Sequence, residues 1–326
     1  MLPRSHLVIS RRTLLSVLAM VIALLMAFIP WESLKGELFV DKTVYTNYFM
    51  YETNRLDYID LTRVTDFVTN EVLWHFLVRE LIETWNLPLS AVFFGISALI
   101  IYCYSTVILR NTHAIAVLLL LNPLVIDFAF SQFRLALAVS LLCIAFFAQT
   151  KLPIRAILAT SAAFIHTASL LFFAVFIFSE VLSRFAERER FSARTMWWFS
   201  IGFGIAISLT TGPLRESLLG FFGDRRAEYA EISSSILYSS FWIFLGAVLF
   251  YQRRDFYLSK ANIVALVILG VIAANMLTGG YSTRFLSAGF PFLICAIFSV
   301  RQQARRIVLA VFVMYTVAQW FFWFAN

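Results

Sequence analysis

Long apolar runs separated by short polar clusters recur along this chain, and their length sets the first expectation. A hydrocarbon core about 30 Å thick takes roughly 20 residues of helix to cross. Runs of near that length predict spans at about residues 13–29, 89–109, 114–130, 135–149, 196–211, 236–251, 261–277, 285–300 and 307–324. A longer stretch, 156–179, carries His166-Thr167 near its middle. The pattern predicts an all-α, polytopic transmembrane bundle of about 10–11 membrane helices, with re-entrant or short helices around residue 166. Residues 1–326 form a single integral membrane domain in this reading.

Composition agrees with the pattern. The chain is 61% hydrophobic and 14% charged, too little polar surface to cover a water-soluble globule. Its formal charge of +7 does not argue for nucleic acid, because the basic residues sit in short clusters between apolar runs. No nucleic-acid partner is expected. Cys103, Cys143 and Cys295 each fall in an apolar stretch without paired spacing, as small packing residues do. His166 has no second histidine or carboxylate nearby in sequence at ligand spacing, so neither metal nor cofactor is expected.

Charge then orients the bundle. Arg4, Arg11 and Arg12 precede the first apolar run, which ends in Pro30-Trp31 without a small-x-small cleavage site. It reads as an uncleaved span with a cytoplasmic N-terminus. If 156–179 dips in and returns at His166-Thr167, 16 of the 26 Lys and Arg residues lie inside and 10 outside. A single crossing reverses those numbers, so the positive-inside bias selects the returning path.

Four features then face outward: the acidic section 31–88, the turn 130–134, the loop 211–235 and the turn 278–284. The first ends in a segment, 66–84, in which Leu73, Phe76, Leu77 and Leu81 repeat at helical spacing. A helix lying on the membrane surface is expected there, with Glu71, Arg79, Glu80 and Glu83 at polar positions. Gly279 and Gly280 permit a tight turn before Tyr281 and Arg284.

Arginine is the residue for phosphate, because its planar fork donates two parallel hydrogen bonds and stays charged. Arg134, Arg284, Arg225 and Arg226 around one outer cavity would hold a diphosphate, with Gln132, Tyr229 and Tyr281 as further contacts. The plainer alternative is that Arg134 and Arg284 snorkel to lipid headgroups. His166 lies in Ala162-Ala163-Phe164-Ile165-His166-Thr167-Ala168-Ser169, a context that favours a neutral imidazole able to exchange a proton. Its plainer alternative is a helix-to-helix hydrogen bond. Asp57, Glu71 and Asp127 are the acids placed to act as a base, each with an ordinary surface acid as its alternative. Of the aromatic residues, Trp31, Tyr45, Tyr48, Tyr51 and Trp85 are positioned to stack on sugars, and most of the 35 Phe are expected to face lipid.

The turn Gln132-Phe133-Arg134-Leu135-Ala136-Leu137-Ala138, followed about thirty residues later by Phe164-Ile165-His166-Thr167-Ala168-Ser169, resembles the EpsG family of Wzy-like polysaccharide polymerases. There a motif R-x-x-(L/A)-A opens one helix and F-x-H-(T/S)-x-(S/A) follows in the next. The polar section with Tyr45, Tyr48, Asp57 and Glu71, and the late Arg284, are similar in layout. The stretch Asn70-Glu71-Val72-Leu73-Trp74 departs from that family in lacking a proline. The resemblance implies a GT-C-like glycosyltransferase in a bacterial cytoplasmic (inner) membrane. It would polymerise undecaprenyl-diphosphate-linked oligosaccharide at the outer face, for O-antigen, capsule or exopolysaccharide. Membrane lipid, a chain-length regulator and a flippase are the implied partners. Two other classes stay open: a transporter or flippase of a lipid-linked or anionic solute, and an acyltransferase on the same lipids. Repeated halves with broken helices would favour the transporter, and no internal repeat is evident.

Overall fold

Helix breaks at a few polar residues shape the molecule. The computed structural model describes residues 10–51, 61–148, 150–221, 236–280 and 282–325. In chain order the helices are α1 (Arg11–Phe28), α2 (Trp31–Lys35), α3 (Val40–Tyr51), α4 (Val64–Thr69), α5 (Val72–Glu83), α6 (Leu89–Asn111), α7 (Pro123–Ser131) and α8 (Phe133–Phe147). They continue as α9 (Leu152–Ile165), α10 (Ser169–Glu187), α11 (Ala193–Thr211), α12 (Arg215–Phe221), α13 (Ile236–Phe250), α14 (Lys260–Thr278), α15 (Ser282–Ser299) and α16 (Gln302–Ala325). No strand occurs among the described residues.

Among the described residues six helices, α1, α6, α10, α14, α15 and α16, are long and apolar enough to cross a membrane, or seven when one bent pair counts as a single span. The chain is a multi-pass membrane bundle. The expected number of about 10–11 is larger because it also counts α11 and the shorter apolar helices α8, α9 and α13. The bent pair corrects the expectation of one straight span at 114–130. A 3-10 segment, Ala114–Leu120, meets α7 at 70°. Pro123 has no N–H to continue a helix, while the Asn122 side chain accepts from Leu124 N at 3.0 Å and starts a new one.

Long-range contacts set the relative direction of several helices. Ser16 meets Tyr102 at 2.6 Å while Phe28 packs on Phe94 at 5.0 Å, so α1 and α6 are antiparallel, and Arg110 donates to Phe147 O at 3.1 Å, joining the ends of α6 and α8. Asn262 and Ser299 meet at 3.3 Å, pairing the start of α14 with the end of α15. Arg155 on α9 and Glu180 on α10 form an ion pair at 3.0 Å, so the two helices run back along one another from an apex at His166. The stretch 156–179 therefore bends back. Arg110, Arg155, Arg184, Arg254 and Lys260 gather at one end of the bundle, and Glu71, Arg134, His166 and the 279–280 turn at the other.

Packing is tightest where α11 crosses α14. A Cβ added at Gly204 would lie 2.9 Å from Gly270 Cα, with Val267 O nearer still. Gly202, two residues earlier on α11, faces open space. Gly204→Leu is expected to destabilise the bundle by about 1–3 kcal/mol through overpacking, and Gly202→Leu to be neutral. Thermal melts in detergent check this; equal melting of the two variants would contradict it. A set of phenylalanines packs inward: Phe128, Phe133, Phe172, Phe176, Phe290 and Phe292 are fully buried.

The segment 66–84 departs from a single amphipathic helix. It divides into α4 and α5 at Asn70-Glu71, where Glu71 adopts the left-handed conformation, φ 54° and ψ 43°. The break turns the inward face to Trp74 and Val78, both fully buried, and leaves Phe76 61% exposed. Trp31 is also corrected: it is buried, donates to Met26 O at 2.9 Å and stacks on Trp320.

Candidate active site

Three helix breaks converge to make the site. α4 starts where the Asp66 carboxylate accepts from Arg63 N at 2.8 Å, a contact that holds this carboxyl below its usual range. It ends one turn later, where Thr167 donates to Val68 O at 3.0 Å. That bond ties α4 to the α9–α10 apex. Glu71 follows in the left-handed region, sparsely populated for any residue with a Cβ. The turn it makes aims its carboxylate inward.

Both oxygens of that carboxylate are engaged. Glu71 Oε2 accepts from Arg134 Nη1, and Glu71 Oε1 meets His166 Nδ1. Only 4% of the Glu71 side chain and 10% of His166 is exposed, against 29% for Arg134. The guanidinium is thus the member that reaches outward. Arg134 stands in the first turn of α8, just after the bend at Gln132. A cation there opposes the helix dipole, and Glu71 supplies the compensating negative charge.

His166 sits at the end of α9 in extended conformation, with φ −156° and ψ 119°. Its imidazole leaves the helix axis and turns toward Glu71. A carboxylate opposite Nδ1 fixes that nitrogen as the N–H donor and assigns the ring lone pair to Nε2. The arrangement orients an imidazole for proton transfer, with a guanidinium beside it for anionic oxygen.

Tyr45 completes the group from α3. Its hydroxyl accepts from Arg134 Nε at 3.0 Å, and its ring packs on Trp74 and Phe133 with centroids 5.7 and 6.1 Å apart. Burial pushes this hydroxyl above its ordinary range, so it stays neutral at working pH. Beneath it, Phe93 and Phe133 stack at 4.2 Å and form a rigid floor.

Arg284 belongs to an adjoining cluster. It follows Gly279 and Gly280, with φ 70° and 119°, as the expected tight turn requires. A Cβ at Gly280 would press on the Asn275 side chain at 3.1 Å. Arg284 lies within electrostatic reach of Asp127, as do Lys35 and Asp41, and Gln132 is close enough to act on the same carboxylate. Asp41 also acts on Tyr45, so α3 lies along both clusters.

Of the residues expected from sequence, Arg134, Glu71 and His166 come into direct contact, and Arg284 and Gln132 lie in the cluster beside them. Asp57, Arg225, Arg226, Tyr229 and Tyr281 lie outside the described residues. Glu71 as a surface acid is overturned, because it is 3% exposed and bridges the other two. Tyr45 as an arginine partner has no sequence signal beyond an aromatic residue in a polar section. Among the described residues, no group of three His, Cys, Asp or Glu is placed to hold a metal ion. No protein-family model, curated protein or solved structure matches this chain.

Proposed function

We propose that the protein is a membrane glycosyltransferase that polymerises lipid-diphosphate-linked oligosaccharide repeat units. The observation that carries this reading is the contact of Arg134 and His166 through Glu71 at the end of the bundle opposite its basic cluster. Positive-inside bias puts the basic end in the cytoplasm and the site at the outer face of the cytoplasmic membrane. A lipid-linked donor reaches such a site from within the bilayer.

In the proposed reaction an acceptor hydroxyl attacks the anomeric carbon of the donor sugar. His166 Nε2 takes the hydroxyl proton as the new C–O bond forms. The bond from the anomeric carbon to the diphosphate breaks, and its electron pair leaves on the phosphate oxygen. Arg134 meets that charge, with Arg284 on the flank. The products are a longer glycan and the lipid diphosphate. Tyr51 and Trp85, 81% and 67% exposed, remain the aromatic faces available to sugars.

A gel of surface glycans after deletion of the gene tests the reading. A lipid core bearing one repeat unit is the expected result. Loss of all surface glycan would support a flippase instead.

A further inference from the structure

A cavity runs from the His166 apex to the basic end of the bundle. From the His166 apex, α9 and α10 splay apart, and the Arg155–Glu180 ion pair bridges them again at 3.0 Å. Between apex and bridge is a cavity of 560 Å³, walled by Ala156, Ala159 and Ala163 on α9 and by Leu170, Phe173 and Ile177 on α10. Leu170 and Ile177 are 46% and 42% exposed, so the cavity is not filled by protein side chains. From Leu170 to Glu180 the wall rises about 15 Å at helical pitch, the depth of an acyl chain in one leaflet.

The mouth of this wedge is cationic. Glu180 is held by Arg155 at 3.0 Å, Arg184 at 2.7 Å and Lys260 at 3.6 Å. Three cations on one carboxylate leave a surplus of two positive charges at the rim. Arg155 is fixed there by donation to Ala145 O at 3.1 Å and by its position over the Phe146 ring. The Arg184 side chain is 64% exposed and faces outward. An apolar slot in a membrane segment with guanidinium groups at one end matches an acyl chain below a phosphate.

We propose that the α9–α10 wedge binds one anionic glycerophospholipid, its acyl chain between the helices and its phosphate on Arg155 and Arg184. Occupancy fixes the splay of the two helices whose junction carries His166. This site is independent of the transferase reading.

The test is native mass spectrometry of the full-length protein in mild detergent, mixed with phosphatidylglycerol or with phosphatidylcholine of the same acyl chains. Wild type is expected to retain one phosphatidylglycerol at least tenfold more than phosphatidylcholine. Arg184→Gln should remove that preference by weakening the exposed rim, and Ala159→Phe should remove retention by filling the slot with all cations in place. Should Ala159→Phe fail to fold, the exposed Arg184→Gln variant still decides. Equal retention of the two lipids by wild type would overturn the proposal. So would an adduct unchanged in both variants, or complete displacement by glycerol 3-phosphate, which carries the phosphate without the chain.

Discussion

Glu71→Gln is expected to stop polymer formation, with turnover falling about 10²- to 10⁴-fold, the usual contribution of positioned acid–base catalysis. The substitution keeps the shape of the side chain and removes its charge. Arg134 then loses its counter-ion, and His166 Nδ1 faces an amide that no longer selects the tautomer. Removing one partner of a buried ion pair also costs about 3–5 kcal/mol, less here because Arg134 is 29% exposed. Protein level and melting temperature should be followed with polymer length for that reason. The double variant Glu71→Gln with Arg134→Gln removes the orphaned charge and should recover stability without recovering polymer. Recovery of polymer in the double variant would take both Glu71 and Arg134 out of the chemistry and leave them as a structural ion pair.

Arg134→Lys is expected to lower turnover about 10²- to 10³-fold, the typical loss of one donor aimed at developing negative charge. Lysine keeps the charge and therefore the attraction to Glu71. It lacks the fork that lets arginine hold Glu71 through Nη1 and Tyr45 through Nε while presenting a further edge outward. Protein level should stay near wild type, since Glu71 remains paired. The readout is glycan length on a gel at matched protein level. Polymer of normal length would assign Arg134 to structure alone.

The spans were legible in the sequence because apolar length and basic flanks report directly on the bilayer. Arg134 and His166 stood out for the same reason, as costly groups within apolar context. The turn at Gly279-Gly280 was equally visible, since only glycine takes those angles without strain. Glu71 was not legible as the link between them. It lies 63 residues from Arg134 and 95 from His166, and periodicity reports which face a residue occupies, never which distant element meets it. Its left-handed turn was hidden as well, because Asn70-Glu71 contains neither glycine nor proline and the flanking residues continue a helical pattern. The bend at Asn122-Pro123 is a different case. An asparagine cap followed by proline is a readable stop-and-start signal, masked here by the apolar run around it.

The central claim is that Glu71 joins Arg134 and His166 into a centre that breaks a sugar–diphosphate bond. Purified protein in proteoliposomes, given a synthetic lipid-diphosphate-linked oligosaccharide, tests it most directly. The account predicts a ladder of elongated glycan with one lipid diphosphate released for each new linkage, absent in His166→Asn and Glu71→Gln. Intact substrate moved across the bilayer without elongation, or a ladder unchanged in both variants, would contradict it.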